Sequence, residues 1–399
     1  MSKLINRYPS IYDLKKRASE RTPAFAFEYL DGGCNEDVSL HRNTKEIRDV
    51  QLEPRYLRNY GESNTKTTLF GQSYDSPFGI APVGLQGLMW PNSPEILAKA
   101  SLKHNIPFIL STVTTMDIER ASELTEGRAW FQLYNPVEET IRTDIIKRAA
   151  AAQCPVLVLL SDVPTFGYRP RDFKNHLALP PKMTLRNILQ VFGKPNWALK
   201  TLKYGIPSFD TLKPYTPDGL NLRQLGAFMD RTFSGKLNAE KIKPIRDQWK
   251  DKLILKGVAS ERDTEDAIAM GFDGIIVSNH GGRQLDASAS SIKVVQNLQA
   301  KYADKIEIMM DSGLRSGPDI ARAMASGAKF TFLGRAFMYG VAALGNKGAE
   351  HTIDILKTQF KQVMDQLCCE KVSDLPDHLI SVSYTHLRAH ETGRNVVCR

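Results

Sequence analysis

Cysteine is scarce in this chain and long apolar runs are missing. The five cysteines among 399 residues are scattered, apart from the neighbours Cys368 and Cys369. They compose neither a disulfide framework nor a paired metal clip, so no metal site is expected. No run of eighteen apolar residues occurs, which excludes a membrane-spanning helix. Met1 to Asn6 lacks the apolar core of a signal peptide, so a reducing cytoplasm is the expected compartment. The formal charge is +9, yet no nucleic-acid recognition motif accompanies it, and no nucleic-acid partner is expected. What remains is a globular chain, 42% apolar, with ample material for a core.

Eight short apolar runs recur along it: Phe78–Val83, Pro107–Thr112, Ala129–Tyr134, Val156–Asp162, Leu253–Gly257, Gly274–Asn279, Glu307–Gly313 and Phe330–Gly334. Most intervals suit a strand plus a crossover helix. Ser260–Met270 opens with a capping serine and an acidic first turn, and Gly271 stops it. Gly317–Met324 repeats the pattern. Eight such units predict an α/β fold, a (β/α)8 TIM barrel. No Gly-x-Gly-x-x-Gly follows the first strand, which argues against an open dinucleotide-binding sheet. One interval is far longer than the rest. Residues of about 165–250 read as an insertion after strand four, lying over the barrel mouth, with helical patterns at Leu185–Phe192 and Asn238–Trp249.

In such barrels the chemistry sits where strands end. Strand six ends in Ser278-Asn279-His280-Gly281-Gly282-Arg283, placing a proton acceptor three residues before a planar cationic fork. That pairing points to proton abstraction from a small carboxylic acid. Strand four ends at Asp162 and strand five at Lys256. Strand seven ends in Asp311-Ser312-Gly313-Leu314-Arg315 and strand eight in Gly334-Arg335. The last two loops pair glycines with arginines, as a phosphate cradle requires.

These motifs, with Ala81-Pro82-Val83-Gly84, Leu110-Ser111-Thr112 and Phe131-Gln132-Leu133-Tyr134, resemble the FMN-dependent L-2-hydroxy-acid oxidase/dehydrogenase family. Residues 8–380 carry the resemblance, which is nearest to the respiratory L-lactate dehydrogenases. It implies one FMN-binding barrel domain over 1–381. It makes His280 the base and Asp162 the group that orients it. It puts Arg169, Arg283, Tyr29 and Tyr134 on the substrate. Lys256, Ser111, Gln132 and the backbone at Pro82, Val83 and Gly84 would hold the flavin ring. Arg315 and Arg335 would hold its phosphate, and Ser278, Asp311, Gly313 and Gly334 complete the cofactor set. The implied reaction oxidises an L-2-hydroxy acid, L-lactate first, to the 2-oxo acid. The electrons would pass to a quinone or cytochrome; an oxidase yielding hydrogen peroxide and a non-redox FMN barrel are the alternatives.

Four positions depart from the pattern. Leu160 replaces a threonine, Val113 an aromatic residue and Gly84 an alanine of the oxidases, while Phe166 is larger than its counterpart. The basic, aromatic stretch 174–215 would suit the anionic inner face of a cell membrane, as a peripheral contact. Family members are often homotetramers. Residues 382–399, by contrast, resemble a translated sequencing adapter and are expected to be foreign to the protein.

Overall fold

The computed structural model describes residues 4–177, 182–216, 232–233 and 236–380. The adapter-like stretch 382–399 lies outside them, as do parts of the long interval after strand four.

Eight parallel strands form one sheet: β1 (Phe78–Ile80), β2 (Ile109–Ser111), β3 (Trp130–Leu133), β4 (Val156–Leu160), β5 (Lys252–Val258), β6 (Gly274–Val277), β7 (Glu307–Met310) and β8 (Phe330–Leu333). Each pairs with its successor from β2 onward, and β8 returns to β1. β1 and β2 meet at a single bridge, Ile80 to Phe108, beside an Ile80 amide that donates to Pro107 at 2.9 Å. The barrel is therefore closed, with one thin seam.

Alternation along the strands explains the closure. Val156, Val158, Ile254, Ile276, Met309, Phe330 and Phe332 share one buried cluster, inside the barrel. Leu157, Leu159, Leu253, Leu255, Ile275 and Met310 belong to another, against the helices. A strand apolar on both faces is what a parallel barrel demands. An antiparallel hairpin, Thr67–Leu69 with Gln72–Tyr74, plugs the floor. There Phe70 lies 6.2 Å from Trp130 and Tyr74 lies 5.5 Å from Phe330, ring centre to ring centre.

Three helices precede the barrel: α1 (Ile11–Arg21), α2 (Ala24–Asp31) and α3 (Val38–Asp49). The connection from β4 to β5 carries α4 (Leu185–Phe192) and α5 (Pro195–Tyr204), then a helix over Ala239–Gln248. Thr184 caps α4 through the Asn187 amide, and Pro195 starts α5. This pair is tied to α2 and to the loop after β1. The Trp197 indole donates to the Leu88 carbonyl at 3.1 Å, and the Phe25 amide donates to Gln190 Oε1 at 3.1 Å. The Trp197 ring meets Phe25 edge-on at 5.9 Å. Two further helices close the chain, α6 (Arg335–Leu344) and α7 (Gly348–Leu367).

Candidate functional site

The loop after β6 is built on an unusual backbone. His280, Gly281 and Gly282 have φ of +57°, +66° and +74° in succession. A Cβ at 281 would lie 2.5 Å from Arg335 Nη1, and one at 282 would lie 2.5 Å from the Leu40 amide nitrogen. Two glycines are thus required for the loop to pass between α3 and the start of α6. The Ser278 hydroxyl accepts from the His280 amide and from Lys256 Nζ, each at 3.0 Å.

His280 Nδ1 lies 3.0 Å from Asp162 Oδ1. Asp162 fits there because Gly257, at φ +106°, sits in a register shift of β5; a Cβ on it would stand 2.6 Å from Asp162 Cβ. Burial raises the Asp162 carboxyl, but His280 and Lys256 overcome this and leave it below its ordinary value. Burial also dominates at His280 and lowers it, against the pull of Asp162. The outcome is a carboxylate beside a neutral imidazole. Its proton then belongs on Nδ1, leaving Nε2 as a lone pair.

Two arginines flank this base. Arg283 Nη1 donates to the carbonyls of Tyr29 at 2.6 Å and Gly32 at 2.9 Å, and its guanidinium lies 5.1 Å from the Tyr29 ring centre. Burial and then Arg169 bring Arg283 down to about 10. Arg169 donates to Gln284 Oε1 at 3.0 Å, and the nearest carboxylate, Asp172, is 3.8 Å away. Neighbouring cations outnumber the one carboxylate, Asp172, that reaches them among the described residues, and such a surplus forms a receptor for an anion. Burial, with Asp162 and Tyr29 nearby, pushes the Tyr134 hydroxyl well up, so it stays protonated as a donor.

A second group of residues lies along β1, β2, β3, β5, β7 and β8. Ser111 and Gln132 are register partners, and Gln132 Nε2 is buried without a hydrogen-bond partner. Lys256 Nζ is buried 3.0 Å from Asp311. Gly313, at φ +88°, passes so near α3 that a Cβ would lie 2.8 Å from Ile47 Cδ1. Among the described residues the Arg315 guanidinium has one hydrogen bond, to its neighbour Leu314. Arg335 is different. Its guanidinium donates to three carbonyls, of Leu30, Gly281 and Gly32, at 2.8–2.9 Å. Burial and then Arg315 lower it to about 9. That side chain staples α2 to the β6 loop, while the first amides of α6, which no N-cap side chain takes up, would be available to an anion.

One cavity of about 1110 Å³ joins these groups. Tyr29, Pro82, Val83, Gly84, Tyr134, Arg169, Lys256, His280, Arg283, Asp311, Gly313, Arg315, Gly334 and Arg335 all line it. Asp162, Ser111, Gln132 and Ser278 stand behind the lining. Gln284 was not singled out in the sequence, although it lies in the same motif. It takes Arg169 on Oε1 and donates to the carbonyls of Asp162 at 3.2 Å and Thr165 at 3.1 Å. A wall of Phe25, Leu88, Leu177, Val191, Trp197 and Thr201 was not foreseen either.

The donor set suits FMN. The orphaned Gln132 amide, the Ser111 hydroxyl and the buried Lys256 cation match the polar edge of a flat heterocycle. The cradle of Gly313, Arg315 and Gly334 matches its phosphate.

The chain is similar to known proteins over most of its length. The family model "FMN-dependent dehydrogenase" matches residues 18–382. L-lactate dehydrogenase of Vibrio parahaemolyticus is 34% identical over 93% of this chain and 98% of that protein. (S)-mandelate dehydrogenase of Pseudomonas putida is 32% identical over 94% of this chain and 95% of its own length. A crystal structure of the monotopic membrane protein (S)-mandelate dehydrogenase superposes with a TM-score of 0.88, at 33% identity, over 93% of this chain and 98% of the other. With the matched region spanning the whole barrel and every strand-end motif, the chain belongs to the FMN-dependent dehydrogenase family.

Proposed function

We propose that the chain oxidises an L-2-hydroxy acid to the 2-oxo acid, with His280 as the base. The observation that carries this reading is the His280–Asp162 pair. It leaves Nε2 uncommitted, in a cavity shared with Arg283 and with Arg169, whose one ion pair, to Asp172, is long at 3.8 Å among the described residues. The substrate carboxylate lies between Arg169 and Arg283, and Tyr29 and Tyr134 hydrogen-bond its oxygens. His280 Nε2 removes a proton from the hydroxyl or from the α-carbon, and Asp162 stabilises the imidazolium that forms. In total two electrons and two protons leave the substrate: one proton goes to His280, and the second proton with the two electrons would go to the flavin. Bound FMN supplies the two-electron acceptor. Ser111, Gln132, Lys256 and the backbone of Pro82, Val83 and Gly84 would hold its ring. Gly313, Arg315, Gly334 and the start of α6 would hold its phosphate, with Ser278 and Asp311 fixing Lys256.

Electrons then pass to a quinone or cytochrome at a membrane. Exposed apolar residues on α4 and α5 support this, with Arg186, Lys194, Lys200 and Lys203 among them. The relative named as a monotopic membrane protein supports it too. Among the described residues no helix is long and apolar enough to cross a membrane.

An anaerobic visible spectrum before and after L-lactate, followed by air, tests the reading. Bleaching with slow recovery is expected. Fast recovery with peroxide makes the protein an oxidase, and a flavin that no 2-hydroxy acid bleaches overturns the proposal.

A further inference from the structure

We propose that the cavity continues beyond the reacting centre into an apolar chamber for the substrate's side chain, so that medium-chain aliphatic L-2-hydroxy acids are preferred over L-lactate. This rests on the reading of the site given above. Charged and polar strand-end residues make one part of the lining. The other part comes from α2, the loop after β1 and the insertion: Phe25, Leu88, Leu177, Val191, Trp197 and Thr201, with the exposed Lys182 also in the lining. No function assigned so far uses them. Phe25 and Trp197 are 2% and 5% exposed, and Leu88, Leu177, Val191 and Thr201 are half-buried, so the wall has an interior base and a partly open margin. The Thr201 hydroxyl is spent on the Trp197 carbonyl at 3.0 Å, which leaves its methyl as the surface it can offer.

Helical spacing explains how the wall forms. On α5, Trp197 and Thr201 are four residues apart and share a face, while Leu199 and Leu202 are exposed on the other. On α4, Asn187 and Val191 share the inner face, and Leu185, Leu189 and Phe192 are exposed. Trp197 and the Thr201 methyl on α5 and Val191 on α4 thus face inward, with Asn187 tied to the Asn175 carbonyl beside them at 3.0 Å, while the exposed leucines and Phe192 face outward. A cavity cationic at Arg169 and Arg283 and apolar at Val191 and Trp197 is complementary to an amphiphile. A carboxylate with an alkyl tail has that form; the methyl group of lactate leaves the apolar wall bare.

Stopped-flow measurement of anaerobic flavin bleaching by L-2-hydroxy acids of three to ten carbons tests this without an acceptor. Burying one methylene is worth roughly a fourfold gain, so kcat/KM should climb by up to that factor per carbon over several carbons. Equilibrium binding of the matching 2-oxo acids, read from the flavin spectrum, should tighten in parallel. V191F and T201F should each lower the eight-carbon to three-carbon ratio at least tenfold. A flat series in both rate and binding overturns the inference and leaves the oxidation reading standing. No bleaching at any length overturns the oxidation reading itself. If both variants spare the ratio but slow reoxidation by a short-chain quinone, the chamber serves the acceptor and the inference falls.

Discussion

His280 works through its neighbours. Burial holds it below its ordinary value, so the neutral, proton-accepting form persists into mildly acidic solution. The sign follows directly: activity is present above the folded-state pKa and is lost as pH falls through it. The acid limb of kcat/KM should therefore lie below pH 6.5, the ordinary histidine value. Asp162→Asn removes the influence that raises His280, so the limb should move to still lower pH. The plateau should drop by about 10²- to 10⁴-fold, the usual worth of a positioned base. A limb that stays in place with an unchanged plateau would refute the pairing. Gly257 tests the same geometry from the other side. Gly257→Ala forces a side chain into φ +106° and against Asp162. It should cost about 1–3 kcal/mol in urea unfolding and impair turnover as the carboxylate shifts. A variant as stable and as active as the parent would show that Asp162 has room to spare.

Elements differ in how much of them the sequence discloses. All eight strands were legible, because runs such as Val156–Leu160 are buried on both faces and read as unbroken apolar stretches. Ser260 marked a helix start by its capping chemistry and caps as expected; the helix pattern from Asn238 was legible, while its cap on the Lys241 amide is a structural finding. Most strand ends were overrun, the fifth excepted, which runs one residue further at each end, Lys252–Val258. Asn279 and Gly313 lie beyond the sheet, since the left-handed residues His280 and Ser312 turn the chain away. Phe25, Trp197 and the Arg335 staple were not legible, because each depends on contacts between segments far apart in the chain. α4 was legible as a helix, and its outer face now carries a prediction. Leu185, Leu189 and Phe192 are exposed, Phe192 by 77%, beside Arg186 and Lys194. We expect the protein to pellet with anionic vesicles at low salt. The triple change to serine should weaken this more than about 100-fold, at roughly 1–2 kcal/mol lost per partly buried side chain. Deleting 190–213 should release the protein as well. Equal pelleting by either variant would rule out α4 and α5 as the contact.

At the scale of the whole molecule the barrel has a weak line where β1 and β2 share one bridge. The residues proposed to hold the flavin ring lie on both sides of it: Pro82, Val83 and Gly84 after β1, Ser111 and Gln132 on β2 and β3. A flavin bound across this line makes the seam part of its own site, so occupancy should stiffen the barrel as well as equip it. FMN at a hundred times its dissociation constant should stabilise the native state by about 2.7 kcal/mol, raising Tm by several degrees. Hydrogen exchange should slow at the Ile80 amide, which donates across the seam. Arg315→Ala separates phosphate from ring. Losing a charge-assisted contact of about 1.5–3 kcal/mol should weaken FMN by roughly 10- to 100-fold and shrink the Tm gain. Riboflavin, which has no phosphate, should bind the variant and the parent alike. If riboflavin weakens in step with FMN, Arg315 supports the fold and not the phosphate, and the anion site rests on the glycines and the amides that open α6.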